Sequence, residues 1–273
     1  MTDLNPQARQ MADESMVRTL AAQTEAIWPQ EAPLLERYGL PSDIRILDAG
    51  CGTGEASSRL AALFPGAQVL GVDIEESSLA LARSRYEALA PRLRFENRSI
   101  YELGLPNDMF DLTVNRHVIH SIPYPERVLA ELVRVTRPGG RLHFIPEDYG
   151  MIHFPRHGLD TRRFWLDGPA QFGDATGTDL FSGRHIYPLL LNLGVQDIAI
   201  DYIVVDPLRV PRETFAAIWT AWRDGYVEPI AEHTNLTVDE ARATFNQMID
   251  DIRDPSRYAV WMVPVVTGVV GKG

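Results

Sequence analysis

Three glycines spaced by single residues, Gly50, Gly52 and Gly54, follow Asp48 in the stretch 44–58, IRILDAGCGTGEASS. Glycine at such positions permits backbone angles and close approaches that a Cβ would forbid, and a helix starting at Glu55 would turn its amino end toward whatever lies over the turn. A second carboxylate, Asp73, ends the next apolar stretch, where it can accept both hydroxyls of a ribose. Together these residues make a cradle for a nucleoside-bearing ligand. The spacing G-x-G-x-G differs from the G-x-G-x-x-G of dinucleotide folds, and nothing in it requires a pyrophosphate.

The elements that must position this cradle follow from apolar patterning. Ile44, Ile46 and Leu47 make a strand, 55–64 a helix, 68–72 a second strand, 75–90 a helix, and 94–97 and 111–115 two further strands. Over 125–137, Val128, Leu129, Leu132, Val133 and Thr136 form a buried helical stripe, which Pro138-Gly139-Gly140 ends before a fifth strand at 141–145. Strands alternating with helices imply a parallel, doubly wound sheet whose ligands sit beyond the carboxyl ends of its strands.

Four ordered segments, ILDAGCGTG, VLGVDI, FDLTVNRHVIHSI and ELVRVTRPGGRLHF, resemble the class I S-adenosylmethionine-dependent methyltransferases, over roughly residues 44–146. The resemblance implies a Rossmann-like α/β fold with a seven-stranded sheet, its last strand antiparallel. It implies S-adenosyl-L-methionine as cofactor and S-adenosyl-L-homocysteine as product, held by Asp48, Gly50, Gly52, Gly54, Asp73, Ile74, Ser99, Ile100 and Arg116. Ser99 departs from the family's aspartate; its hydroxyl would meet the adenine amino group as a neutral partner, or else serve the local turn, with Ile100 against the ring. The family places the methyl and its acceptor near the end of the fourth strand, which makes His117 the candidate general base. Arg116 would bind a substrate carboxylate or lend its carbonyl to the cofactor's ammonium, and His120 would pack on the next helix. In this family a segment such as 1–41 often folds over the cofactor, so its helix is either a lid, touching ligand through Arg18, Gln23 or Trp28, or a packing helix.

At 273 residues, with 45% hydrophobic and 23% charged residues, the chain is long enough for one domain with insertions. A net charge of −11 argues against a non-specific grip on nucleic acid or an anionic membrane. The single cysteine, Cys51, permits no internal disulfide; with no apolar leader or membrane-length run, a cytoplasmic protein is expected. Cys51 itself reads as a small buried residue of the cradle rather than a nucleophile.

Beyond the fifth strand, 147–179 lacks sustained periodicity and reads as a long loop dense in aromatic and charged residues, beginning beside the methyl donor. Glu147, Asp148, Tyr149, His153, His157, Arg162 and Trp165 form the pool of acceptor contacts, of which Asp148, Tyr149, His153 and Trp165 are expected to bind substrate with His117. Asp148, His153 and His157 have no zinc-like register, so no metal is expected. A helix at 182–193, a strand at 197–205 and a last strand at 258–266 complete the sheet. Between the last two, 213–226 aligns Phe215, Ile218, Trp219, Trp222 and Tyr226 on one helical face, and 238–252 carries Ala241, Phe245, Met248 and Ile252. If the sixth strand is parallel, this insertion caps the active site, with Trp219 and Trp222 lining it.

The expected organisation is a helical lid (1–41), a cofactor-binding core (42–146), an active-site loop (147–181), a core continuation (182–205), a helical cap (206–257) and a final strand and tail (258–273). The expected function is methyl transfer to a small, aromatic or heteroaromatic acceptor, with O-, N- and C-methylation open and neither nucleic acid nor membrane as partner. An RNA or protein methyltransferase would favour a basic open groove. A non-catalytic S-adenosylmethionine-binding protein would keep the cradle and lack an acceptor site, and a nicotinamide oxidoreductase would need the third-glycine spacing that is missing.

Overall fold

A computed structural model describes residues 14–155 and 160–271. Its eight-stranded sheet has the order β3-β2-β1-β4-β5-β8-β6, with β7 on the far side of β8. Strands β1 (Arg45–Ala49), β2 (Gln68–Asp73), β3 (Leu93–Asn97), β4 (Phe110–Arg116) and β5 (Thr136–Ile145) are parallel to their neighbours. The last strand, β8 (Val260–Val269), runs antiparallel to β5, to β7 (Gln196–Val205) and to the two-residue β6 (Ile152–His153). Antiparallel to β8 on one side and continuing the sheet, β7 is therefore parallel to β5, so the chain leaves it on the same side as the glycine turn.

Alternation along the strands feeds two cores. Ile46 and Val69 face one side, with Leu60 of α2 (Glu55–Leu63) and Leu79 of α3 (Glu76–Arg85). Leu47 and Leu70 face the other, with Leu129 and Leu132 of α4 (Pro125–Val135) and Ile186 and Leu190 of α6 (Ser182–Asn192). A period of two sends successive side chains to opposite faces, which is what a sheet covered on both sides requires.

A third core lies over the carboxyl edge. It joins α1 (Glu14–Glu36), α5 (Thr161–Thr176), α7 (Arg212–His233) and α8 (Val238–Arg253) through Ile27, Trp165, Phe215, Trp219, Trp222, Phe245 and Trp261. Helix α8 starts on a capping box, in which Thr237 accepts from the Glu240 amide and the Glu240 side chain accepts from the Thr237 amide.

Three expectations require correction, the first being the strand count, since the two-residue β6 makes the sheet eight-stranded rather than seven-stranded. Helix α4 stops at Val135, not at Arg137, and Thr136 already belongs to β5. The residue before a proline avoids helical angles, and Pro138-Gly139-Gly140 forms a bulge inside the strand, where the register to β4 shifts between Phe110 and Leu112. The stretch 147–179 is not a long loop: it holds β6 and the 16-residue α5. Gly168, Pro169 and Gly173 hide that helix from periodicity, but Asp160 caps its start by accepting from the Arg163 amide, and Gly177, at φ +75°, ends it. Of the acceptor pool, His157 and the Arg162 side chain lie outside the described residues.

Candidate functional site

Strand β1 delivers Asp48 and then breaks into left-handed glycines, Gly50 at φ +79°, Gly52 at +52° and Gly54 at +82°. A Cβ on Gly50 would stand 2.5 Å from Val118 Cγ2, so the turn needs glycine both for its angle and for the approach of the loop after β4. Asp73, at the end of β2, accepts from the Gly52 amide at 2.8 Å and the Glu75 amide at 3.0 Å, tying the turn to the second strand. Beside it the large apolar side chain of Ile74 is 48% exposed. Ser99 accepts from the Tyr101 amide at 3.3 Å, a local turn bond, and Ile100 is buried among Leu103 and its neighbours.

Asp48 is buried and accepts from the Ser57 hydroxyl at 2.5 Å. Burial pushes its carboxyl up to about 6, against the pull of the Ser57 hydrogen bond and the Arg116 charge. Asp48, Gly50, Cys51, Glu55, Arg116 and His117 wall one side of a pocket, and Leu20, Gln23 and Thr24 of α1 wall the other. Of the three residues expected from the first helix, Gln23 therefore faces the cradle, whereas Arg18 pairs with Asp224 of α7 and Trp28 stacks under Arg59. Burial raises the Cys51 thiol well above its ordinary value, which suits a packing residue.

Arg116 leads into a buried network. Its Nη2 donates to Glu31 of α1 at 2.8 Å, Glu31 meets His143 Nε2 at 3.2 Å, and His143 Nδ1 meets the Tyr38 hydroxyl at 2.7 Å. Burial alone would raise the Glu31 carboxyl; the charges and hydrogen bonds of Arg116 and His143 override it and hold the group at about 2. Arg116 Nε is buried and has no hydrogen-bond partner among the described residues.

His117 follows directly. Its backbone is left-handed, φ +56°, and its amide donates to the Ile145 carbonyl at 2.8 Å, which fixes the ring at the end of β4. Nδ1 lies 2.6 Å from Glu147 Oε1, and both side chains are buried. A carboxylate only accepts, so Nδ1 carries the hydrogen and Nε2 keeps its lone pair in the neutral ring. His117 Nε2 and Glu147 Oε2 are both buried with no partner among the described residues. The His117 ring lies 6.3 Å from Trp261, which in turn touches Trp219 at 5.9 Å and Trp222 at 5.3 Å. Each of Trp219 and Trp261 buries an indole N–H that has no partner among the described residues. His120, buried beneath Tyr149 at 5.9 Å, is held down at about 4 by burial.

The remaining expected acceptor contacts separate in space. Tyr149, Trp165 and Trp222 line one apolar pocket, while Trp219 is fully buried in the core, 4.9 Å from Trp222, and is not part of that wall. Asp148 is engaged elsewhere. Arg184 donates to both of its oxygens, at 2.7 and 2.6 Å, and the Gly150 amide donates at 3.1 Å, so the carboxylate anchors the exit of β5 to α6. His153 is exposed on β6. Sequence reasoning pooled Glu147 without its role, and missed Glu31 and Trp261. A lone acid within the apolar face of α1, and a tryptophan opening a valine-rich strand, were the available signals.

Residues 47–144 match the methyltransferase domain family. A trans-aconitate 2-methyltransferase of Deinococcus radiodurans is 41% identical over 161 residues, which cover 56% of this chain and 59% of the relative. An uncharacterized protein of Synechococcus is 40% identical over 143 residues, 50% of this chain and 34% of that one. The chain thus spans less than two thirds of the length of these relatives. A solved phosphoethanolamine N-methyltransferase of Haemonchus contortus shares the fold at TM-score 0.57 and 20% identity, covering 90% of this chain and 53% of that one. Residues 47–144, with the parallel sheet and the glycine turn between β1 and α2, thus form the part of the chain that matches a methyltransferase domain, and its fold is that of S-adenosylmethionine-dependent methyltransferases.

Proposed function

We propose that the chain transfers a methyl group from S-adenosylmethionine to a small acceptor, and that His117, oriented by Glu147, takes the acceptor's proton. The observation that carries this reading is the buried His117–Glu147 pair, with Nε2 unpartnered among the described residues and His117 lining the pocket that also holds Asp48 and Gly50.

The residues present fit the cofactor. Asp48 is a buried carboxylate with only a hydroxyl for a side-chain partner and suits an ammonium. Arg116 Nε is an unpartnered donor on the same pocket and suits a carboxylate. Asp73 would accept from ribose hydroxyls, the exposed Ile74 would cover an adenine face, and Gly50, Gly52 and Gly54 keep the cradle free of Cβ atoms. Ile100 and Ser99 stand on the adenine side. When bound, S-adenosylmethionine supplies an electrophilic sulfonium methyl, which leaves its sulfur as a neutral thioether.

The chain's own contribution is positional and basic. Glu147 holds the His117 tautomer and stabilises the imidazolium that forms when Nε2 accepts the acceptor's proton. Burial of this pair beneath the cap excludes water from the transfer line, and holding both partners together removes much of the entropic barrier. Helix α1 closes the pocket through Leu20, Gln23 and Thr24, which makes it the lid. The acceptor side is roofed by α7 and α8 and is aromatic, which favours a small molecule over an RNA or protein chain, and an aromatic or heteroaromatic body within that class.

Transfer of a labelled methyl group tests the reading. Wild-type protein should label at least one member of a panel of phenols, amines and heterocycles. His117→Asn, chosen because asparagine tolerates the left-handed backbone, should lower kcat by about 10²–10⁴-fold and leave S-adenosylhomocysteine affinity unchanged. Normal turnover in that variant removes His117 as the base.

A further inference from the structure

Between α5, α7 and α8 lies a second pocket, small and open at its mouth. Tyr149, Trp165, Gly168, Phe172, Trp222 and Tyr226 line it, and no Lys, Arg, His, Asp or Glu among the described residues contributes to its wall. Packed rings link the wall of this pocket to the surroundings of the proposed base, although no residue lines both this pocket and the one at His117. Tyr149 belongs to its wall and stacks on His120, and Trp222 belongs to its wall and touches Trp261, the ring beside His117. Arginines close in sequence to its wall are paired with acids outside it: Arg163 with Asp167, Arg223 with Asp224, and Arg184 with Asp148.

An anionic body placed in this pocket would lose its hydration without meeting a counter-charge, a penalty of several kcal/mol. A neutral apolar body would instead gain by burial and by edge-to-face contact with the rings. We infer that this pocket holds the body of the methyl acceptor, and that the acceptor is a largely hydrocarbon or aromatic molecule with no anionic group on that body, carrying one proton-bearing nucleophile at the His117 end. The inference rests on the methyl-transfer reading and narrows it. It separates this chain from its Deinococcus relative, whose name gives a polycarboxylate acceptor.

Gly168 supplies the test. It sits inside α5 with no positive φ, and a Cβ there would meet no atom within 4 Å. A larger side chain at this position would grow into the pocket, and replacing a helix-interior glycine favours the fold. Trp165 and Trp222 report directly on occupancy through their fluorescence.

The probes are 2-naphthol, a neutral apolar phenol, and trans-aconitate, titrated against wild type, Gly168→Ala and Gly168→Leu, with S-adenosylhomocysteine calorimetry on the same samples. The expected result is quenching by 2-naphthol in wild type, affinity lowered at least about tenfold in Gly168→Leu and less in Gly168→Ala. Melting temperatures should hold or rise in both variants, and trans-aconitate should produce no quenching. Equal naphthol affinity in all three proteins, or binding of trans-aconitate in place of naphthol, overturns the assignment. Failure of S-adenosylhomocysteine to bind wild type overturns the methyl-transfer reading instead, and the naphthol series still decides what the pocket accepts.

Discussion

On the cofactor side, Asp48, the three glycines, Ser57 and Asp73 all come from one strand–turn–helix–strand unit, and their bonds span short stretches of chain. The proposed acceptor side takes His117 from the end of β4, Glu147 from the exit of β5, Trp165 from α5, Trp222 from α7 and Trp261 from β8. The first region is built by backbone geometry, in which each position admits few residue types. The second is built by packing, in which volume and polarity must be right but identity is freer. A fold can therefore keep one cofactor while its acceptor pocket is remade, and a single substitution should have different consequences on the two sides.

Gly50→Val puts that contrast to its hardest test. It forces a β-branched residue into φ +79° and drives a methyl group into Val118, the neighbour of His117. The expected outcome is loss of S-adenosylhomocysteine affinity by more than about a hundredfold, an effect near 3 kcal/mol, together with loss of transfer. Calorimetry reads the first and a labelled-methyl assay the second. Retained affinity would mean that the turn is plastic and that the two regions do not differ in the way described.

The same contrast explains what could be read from the chain alone. Glycines, a carboxylate at a strand end and apolar runs alternating between strand and helix are local signals, and the cradle and the parallel character of the core sheet followed from them. The α5 helix did not, because Gly168, Pro169 and Gly173 break its pattern and its stability comes from Phe164 and Trp165 packing on Phe245. Glu147 reaches His117 across 30 residues and Glu31 reaches Arg116 across 85, distances over which spacing carries no information. Asp148 drew attention for its chemistry and its place after β5, yet Arg184, 36 residues on, takes up its carboxylate.

Glu31 joins the two regions, since it ties α1 to the residue preceding His117. Replacing it with glutamine leaves the Arg116 guanidinium buried without a counter-charge and should cost about 3–5 kcal/mol of stability at neutral pH. The carboxyl is held at about 2, below its ordinary 4.5, so its contribution is complete above pH 4.5 and fades as the pH falls toward 2. Urea unfolding of wild type and Glu31→Gln should accordingly converge in acid. A difference that persists unchanged down to pH 2 would show that the charge of Glu31 is not what holds α1 against Arg116.

Asp48 has the opposite sign and the smallest effect. Its carboxyl is pushed up to about 6 from an ordinary 3.8, so folding is favoured where the group is protonated, below pH 3.8, and that advantage is lost as the pH rises through 6. At pH 8 the ligand-free protein therefore carries a buried charge that opposes its own folding, by at most about 3 kcal/mol for a shift of this size. Asp48→Asn removes the charge and keeps an oxygen to accept from Ser57, but leaves an amide NH2 to be satisfied, so the net gain should be about 1–2 kcal/mol at pH 8 and close to zero at pH 3.5. S-adenosylhomocysteine should bind this stabilised variant more weakly, because the carboxylate that destabilises the empty cradle is the group proposed to meet the ligand's ammonium. A stability gain without any loss of affinity would place that ammonium elsewhere, and would make Asp48 a structural neighbour of Ser57 alone.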